Sequence, residues 1–320
     1  MESTQAAAPT RRISSERAAP RAKGRLSPRA EAWVRRAPLL PALIFAIVVT
    51  QLPFLVTIYY SLHSWNLLRG EEPRFVGFEN FAQMWLDETF RTAALNSVAL
   101  TVSVILISLV LGLGCALLVH RKFAGRGIVR TLLITPFLVM PAAAALIWKN
   151  SLLDPMYGFI NFVLSPFGIG TYDWLSAMPL PSIIVILVWQ WTPFMMLIIL
   201  AGLQSQPEDV LEAAQVDGAG ILQTFRYMTI PHLRRYLELG AILGAIFVLQ
   251  TFDAIYMTTQ GGPGNATTNL PFFLYIKAFR GFEIGQAAAL GVVVVIATIV
   301  IATLSIRMFS NLLGQTKEPK

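Results

Sequence analysis

The chain has 320 residues, of which 55% are hydrophobic and 13% charged. Soluble domains carry about 25% charged residues, so a soluble globule built on one large core is excluded. The formal charge is +7, but residues 1–37 alone hold nine basic and three acidic side chains; that clustering argues against a nucleic-acid surface, and no nucleic-acid partner is expected.

Residues 1–37 are rich in Ala, Pro, Ser and Arg. They read as a disordered basic tail that anchors the chain on the cytoplasmic side. Six hydrophobic segments follow, at about 39–62, 95–119, 129–148, 181–203, 237–257 and 287–309. Each has roughly the 20 residues a helix needs to cross a bilayer. The first is too long for a signal-peptide core and lacks a small-x-small cleavage site, so it is expected to be an uncleaved helix. Pro53, Pro136, Pro141 and Pro193 fall within or between these segments and predict kinks. Cys115 is the single cysteine and reads as a small apolar residue of the second segment.

Charge orients the chain. The loop around Gly70 is mainly acidic, with Glu71, Glu72, Glu79, Asp87 and Glu88 against Arg69, Arg74 and Arg91. The next loop is basic, with Arg121, Lys122, Arg126 and Arg130. This alternation puts both termini in the cytoplasm by the positive-inside rule. The Gly70 loop is then external, and its NFAQMWLDETF run predicts an amphipathic helix near the interface.

The same rule places residues 204–235 in the cytoplasm. Ser205 and Glu208 fit a capping box with Pro207 in the first turn. Leu211, Ala214, Gly218, Ile221, Leu222 and Phe225 recur at helical spacing and predict one apolar face. Gly218 and Gly220 predict a bend between two short helices, and Pro231 a stop or restart. No catalytic set is present. The three histidines, His63, His120 and His232, are dispersed and read as packing residues, and no GxxxxGK[ST] phosphate loop occurs. The chain is expected to be non-enzymatic, to bind no metal or cofactor, and to draw any ATP-derived energy from another polypeptide.

Glu212, Ala213 and Ala214, three residues, Gly218, nine residues, then Met228, Thr229, Ile230 and Pro231 form a spaced motif. It resembles the EAA loop of bacterial binding-protein-dependent ABC importer permeases, with Met228 and Ile230 as apolar replacements for the usual Ile and Leu. The run Phe252–Phe279, with Gly261, Gly262 and Pro263, further resembles the carbohydrate-type, MalF-like group. The resemblance spans about residues 38–313. It implies an all-α polytopic membrane protein of the type I importer permease fold, with six transmembrane helices and a cytoplasmic coupling helix. Residues 38–313 would form the permease domain, and 314–320 a cytoplasmic tail. It also implies an inner-membrane location, a second permease subunit, two ATP-binding subunits carrying ATP and Mg, and an extracytoplasmic solute-binding protein. Glu212 would face the ATPase, Ala213 and Ala214 would allow close packing, and Gly218 would make the bend.

Candidates for the substrate path come from polar and aromatic residues inside the spans. Asp253 lies in the fifth segment, where a carboxylate faces a path, a partner or a helix break; both ligand contact and break capping are open. Gln250 at i−3 would share its face. Trp189, Gln190 and Trp191 could stack and read a sugar, or pack. Asn96 and Gln51 are weaker candidates. Gly240 and Gly244 form a GxxxG pair expected to pack helices. Gly261, Gly262 and Pro263 predict a turn at the external mouth. The expected function is half of the alternating-access path of an ATP-driven importer for a sugar, oligosaccharide or polyol. An ion-coupled secondary transporter for a small polar solute is the alternative, since broken helices and Asp253 suit it.

Overall fold

A computed structural model describes residues 39–70, 72–168 and 171–313, and the side chains of 39–70, 72–168, 171–300 and 303. The expected basic tail, residues 1–37, and the C-terminal tail, 314–320, lie outside the described residues. The chain divides into two units, Met1–Phe54 and Leu55–Lys320. The division falls within the first helix, α1, Leu40–Ser61. In the first unit α1 is apolar at nearly every position, and its one hydroxyl, Thr50, is satisfied by donating to Ala46 O at 2.7 Å.

In the second unit the end of α1 leads into a small two-stranded element. Strands β1, His63–Ser64, and β2, Arg74–Phe75, pair antiparallel. Helix α2, Glu79–Leu86, follows. The amphipathic run expected through Phe90 is divided at Asp87, whose carboxylate accepts from Thr89 N and caps the next helix. A short capping side chain satisfies the free amides of a first turn better than helix continuation would. That next helix, α3, Glu88–His120, has 33 residues and no proline. At 1.5 Å per residue it is about 50 Å long, which exceeds a hydrocarbon core of about 30 Å.

The third hydrophobic segment is two helices, α4, Arg126–Leu138, and α5, Pro141–Ile147, which a π-helical turn over Trp148–Leu152 extends. They meet at a 99° bend. Pro141 forces this: the residue before a proline leaves the helical region, and Met140 has ψ 133°. Short helices α6, Phe159–Leu164, and α7, Trp174–Ala177, lead into α8, Pro179–Gln204. The loop helices α9, Glu208–Val216, and α10, Ile221–Thr224, follow, and a π-helical turn at Phe225–Thr229 leads into α11, Ile230–Leu249. The fifth segment does not run unbroken to 257. It stops at Leu249 and resumes as α12, Asp253–Thr258. Helix α13, Leu270–Tyr275, another π-helical turn and α14, Ile284–Leu313, complete the chain.

All six expected segments are therefore helical. Among the described residues three helices, α1, α3 and α8, are long and apolar enough to span a membrane, and the bent α4–α5 pair makes a fourth. The fifth segment falls short because α11 carries Arg234, Arg235 and Glu238 and breaks at Leu249. The core lies where α3, α8 and α11 cross. Gly112 lets α3 approach α8 so closely that a Cβ there would sit 2.9 Å from Met196 N. Gly240 and Gly244 of α11 make room for the Met195 side chain, whose Cε a Cβ on Gly244 would overlap. The GxxxG pair thus packs helices, as small residues do where backbones approach. Above and below this crossing, Leu100, Val104, Ile186, Leu187 and Val248 form one buried cluster, and Ala116, Met196, Ile199, Leu200 and Leu233 another.

Candidate functional site

The loop between α8 and α11 is built around one left-handed residue. Helix α9 ends at Val216, and Gly218 follows at φ +82°. Gly218 N donates to Gln215 O at 3.0 Å and Ala219 N to Ala214 O at 2.9 Å. This pair of bonds is a Schellman closure, which satisfies helix-end carbonyls and favours glycine because it lacks a Cβ. Gly220 then starts α10, and Gln223 accepts the Gly220 N–H at 3.0 Å. The bend expected at Gly218 is present.

The loop's start differs from expectation. Ser205 and Glu208 form no capping box. Pro207 is the N-cap of α9, without a side-chain cap. Ser205 is instead drawn to the end of α8, where its hydroxyl donates to Gly202 O at 2.9 Å and lies 2.7 Å from Tyr236 OH. His232 Nε2 sits 3.1 Å from both Ser205 Oγ and Gly202 O. Arg235 donates to Tyr236 OH at 3.2 Å and lies over its ring. These contacts tie the root of the loop to the first turns of α11. His232 is thus a tethering residue, and only its proximity to the closing proline hints at that in sequence.

The expected single apolar face is also divided, because the Gly218 turn redirects the chain. Ala214 is buried and Leu211 half-buried, whereas Ile221 is 90% and Val216 88% exposed. Leu222 and Tyr227 are exposed beside them. Glu212 and Ala213 also face outward, and Glu212 has no side-chain hydrogen bond or ion pair among the described residues. Met228 lies exposed on the π-helical turn and Ile230 is half-buried; Pro231 neither stops nor restarts the helix, because the π-helical turn just before it carries the chain through without interruption. A bent element therefore presents apolar and acidic side chains that stand exposed among the described residues. Exposed apolar side chains grouped in this way suit a contact surface. Behind it lies a cavity of about 280 Å³, lined by Leu117, Leu203, Leu211 and Phe225.

At the other end of the helices, Gly261, at φ +86°, Gly262 and Pro263 form the expected turn. Thr267 N and Thr268 Oγ1 donate to Gly261 O, and Thr267 Oγ1 lies 2.7 Å from Thr259 Oγ1. A Cβ on Gly261 would lie 2.6 Å from Thr268 Oγ1, so the turn needs glycine there for space as well as for φ. Asn96, a ligand-contact candidate in sequence, is instead a clamp: its amide donates to Asn265 O, Ala266 O and Thr268 O at 3.0–3.2 Å. Asn269 caps α13 through Phe272 N and reaches Thr251 O at 2.6 Å in the α11–α12 break. Isolated asparagines give no spacing signal from which these roles could be read.

The path candidates separate. Asp253 opens α12, is exposed, and has no side-chain hydrogen bond or ion pair among the described residues, so it does not cap the break. Gln250 is the cap residue that ends α11, not a helical i−3 neighbour of Asp253, because the break intervenes. It borders an open apolar cavity of about 520 Å³ with Phe252, Leu274, Tyr275 and Phe279. Gln190 is 5% exposed and donates to Val139 O at 3.3 Å, closing the α4–α5 bend. Trp189 meets Trp148 edge-on at 5.8 Å, and Trp191 stacks on Phe247 at 5.5 Å. The three consecutive side chains thus point to three different neighbours. Gln51 donates to Thr50 Oγ1 within α1.

Known proteins resemble this chain in sequence and in fold. The family model for the inner membrane component of binding-protein-dependent transport systems matches residues 108–314. A probable ABC transporter permease of Sinorhizobium fredii is 37% identical over 265 residues, 82% of this chain and 85% of its own. The trehalose/maltose transport system permease MalF of Thermococcus litoralis is 33% identical, over 85% of this chain and 92% of its own. The sulfoquinovosyl glycerol transport system permease of Agrobacterium fabrum is also 33% identical, over 84% and 88%. A chain from the crystal structure of a bacterial ABC transporter that imports alginate superposes with a TM-score of 0.74, covering 87% of this chain and 96% of that one. At 22% identity that last likeness is one of fold. With a family match over more than half its length and relatives above 30% identity across most of it, the chain belongs to the inner membrane components of binding-protein-dependent transport systems.

Proposed function

We propose that the chain supplies half of an alternating-access path for a sugar, oligosaccharide or polyol, driven by ATP hydrolysed on separate subunits. The observation that carries this is the bent, uncovered loop at Gly218, which has the shape and chemistry of a docking element. ATP-binding subunits would seat on Glu212, Val216, Ile221 and Leu222, and their motion would pass through the Ser205–His232–Tyr236 tether into α8 and α11. A second permease would complete the path, and a solute-binding protein would deliver substrate at the Gly261 turn. Both termini would lie in the cytoplasm. ATP and Mg would reside on the ATPase subunits, and this chain would contribute no covalent chemistry.

The sugar class rests on the named substrates of relatives and on the open cavity beside Gln250. Phe252 and Tyr275 offer ring faces there, with Asp253 and Gln250 close in sequence as hydroxyl partners. Aromatic faces suit the apolar side of a pyranose. Neither family nor fold supports the ion-coupled alternative. Reconstitution with the cognate ATPase and binding protein tests the reading: uptake of a sugar or polyol should require ATP and survive collapse of ion gradients. Uptake that persists without ATP and stops with the gradient would overturn it.

A further inference from the structure

The outer half of the broken fifth segment, α12, has only six residues and is bounded by the Thr251–Phe252 break and by Gln260 at φ +51°. So short a helix has no stability of its own. Its first end is held by Asn269 through Thr251 O. Its last end is held by a charge. Lys149 Nζ donates to Thr258 O at 3.0 Å and reaches Met257 O at 3.5 Å. A cation placed on the final carbonyls of a helix satisfies groups that have no helical partner and meets the negative end of the dipole.

Lys149 projects from the π-helical turn Trp148–Leu152 that ends the bent third segment. That side is rigid. Asn161 donates to Asp154 O, Pro155 O and Tyr172 O and accepts from Trp174 Nε1, so the chain after Lys149 is tied in one piece. Between the rigid side and α12 lies a cavity of about 410 Å³, lined by Lys149, Asp154, Asp173, Thr258 and Pro263. Each Asp has one oxygen accepting backbone N–H, from Met156 and Tyr157 or from Ser176. Neither pairs with Lys149, and the ammonium has no carboxylate partner among the described residues.

We propose that Lys149 is a positioning residue that latches α12 to the bent third segment and so sets whether this mouth of the path is closed. The interaction is reversible because two carboxylates in the same cavity can receive the ammonium once α12 withdraws, which spares the cost of a stranded charge. The latch rests on the alternating-access reading above. Its test reads the opening of this chain directly, so it can fail or stand independently of substrate and of ATP coupling.

Thr258 is 5% exposed and lines the cavity. With Cys115 replaced by Ala, Thr258→Cys is a single reporter of that interface, and Val104→Cys, in the buried core, is its control. Maleimide labelling is measured on the purified permease complex. Adding Lys149→Met to the Thr258→Cys reporter should speed its labelling about tenfold, the scale of one lost charge-assisted hydrogen bond. Lys149→Arg should keep the slow rate, since a guanidinium can serve the same carbonyls. The Val104→Cys control should stay unlabelled with Lys, Met or Arg at position 149. An unchanged Lys149→Met rate would overturn the latch, and so would Lys149→Arg labelling as fast as Lys149→Met. Faster labelling of the Val104→Cys control would also overturn it, by assigning Lys149 to global stability. If the labelling behaves as expected but the complex imports no sugar, the latch stands and the substrate reading fails.

Discussion

Gly218 offers a perturbation that is almost purely conformational. A Cβ added there meets nothing within 4 Å, so Gly218→Ala introduces no clash. It does place an L-residue at φ +82°, at a cost of about 1–2 kcal/mol. Helix α9 has nine residues and gains little by itself. The two closing bonds, Gly218 N to Gln215 O and Ala219 N to Ala214 O, therefore carry most of the bend. The penalty should appear as a loss of about 5- to 30-fold in affinity for the ATP-binding subunits, since every 1.4 kcal/mol is tenfold. Global melting should move less, because Ala also restricts the unfolded chain by about 0.4–1 kcal/mol. Asparagine tolerates the left-handed region, so Gly218→Asn should bind within about threefold of wild type by the same free-energy scale. The assay is equilibrium binding of the ATPase to solubilised permease, followed by binding-protein-stimulated ATP hydrolysis. Equal affinity for the Gly, Asn and Ala forms would refute the reasoning, as would Asn failing as badly as Ala. Gly218→Arg should abolish transport while leaving membrane insertion intact.

Three further outcomes are expected. Asn96→Ala removes the donor shared by three loop carbonyls, at about 1–3 kcal/mol for groups left unsatisfied; hydrogen exchange at residues 265–268 should accelerate, and an unchanged rate would show that water replaces the clamp freely. Gly112→Ala should destabilise the complex more than Gly244→Ala. The first Cβ meets backbone at 2.9 Å, whereas the second meets the movable tip of Met195; overpacking costs about 1–3 kcal/mol where neighbours cannot shift, and the reverse order of melting temperatures would contradict this. Asp253→Ala should leave melting unaltered, because the carboxylate has no side-chain partner among the described residues, while changing transport across a panel of sugars and polyols. A lowered melting temperature with unchanged transport would make Asp253 structural.

Much of this protein follows from local chemistry alone. Long uncharged runs make membrane helices, since a span must satisfy its backbone internally. The EAA-like spacing marks the loop, and Gly218 marks its bend, because a left-handed turn after a helix selects glycine whatever surrounds it. Pro141 likewise announces the bend of the third segment through its effect on the preceding residue. The break in the fifth segment has no such marker. No proline or glycine lies between Leu249 and Asp253, and the interruption depends on Asn269, 18 residues after the Thr251 carbonyl it holds. For the same reason sequence leaves Trp189, Gln190 and Trp191 open between sugar contact and packing, since successive helix positions diverge by about 100° and their neighbours are set by the fold, and Ser205 reads as a cap although Tyr236 and His232 claim it. Sequence by itself determined the class and the bent loop, because these rest on composition, period and single-residue backbone preference, and the resemblance of its EAA-like motif pointed to the family. Only the tertiary structure decided which polar side chains close the fold and which stay open, because a hydrogen-bond donor such as Lys149 or Asn96 is committed by a carbonyl more than 100 residues away.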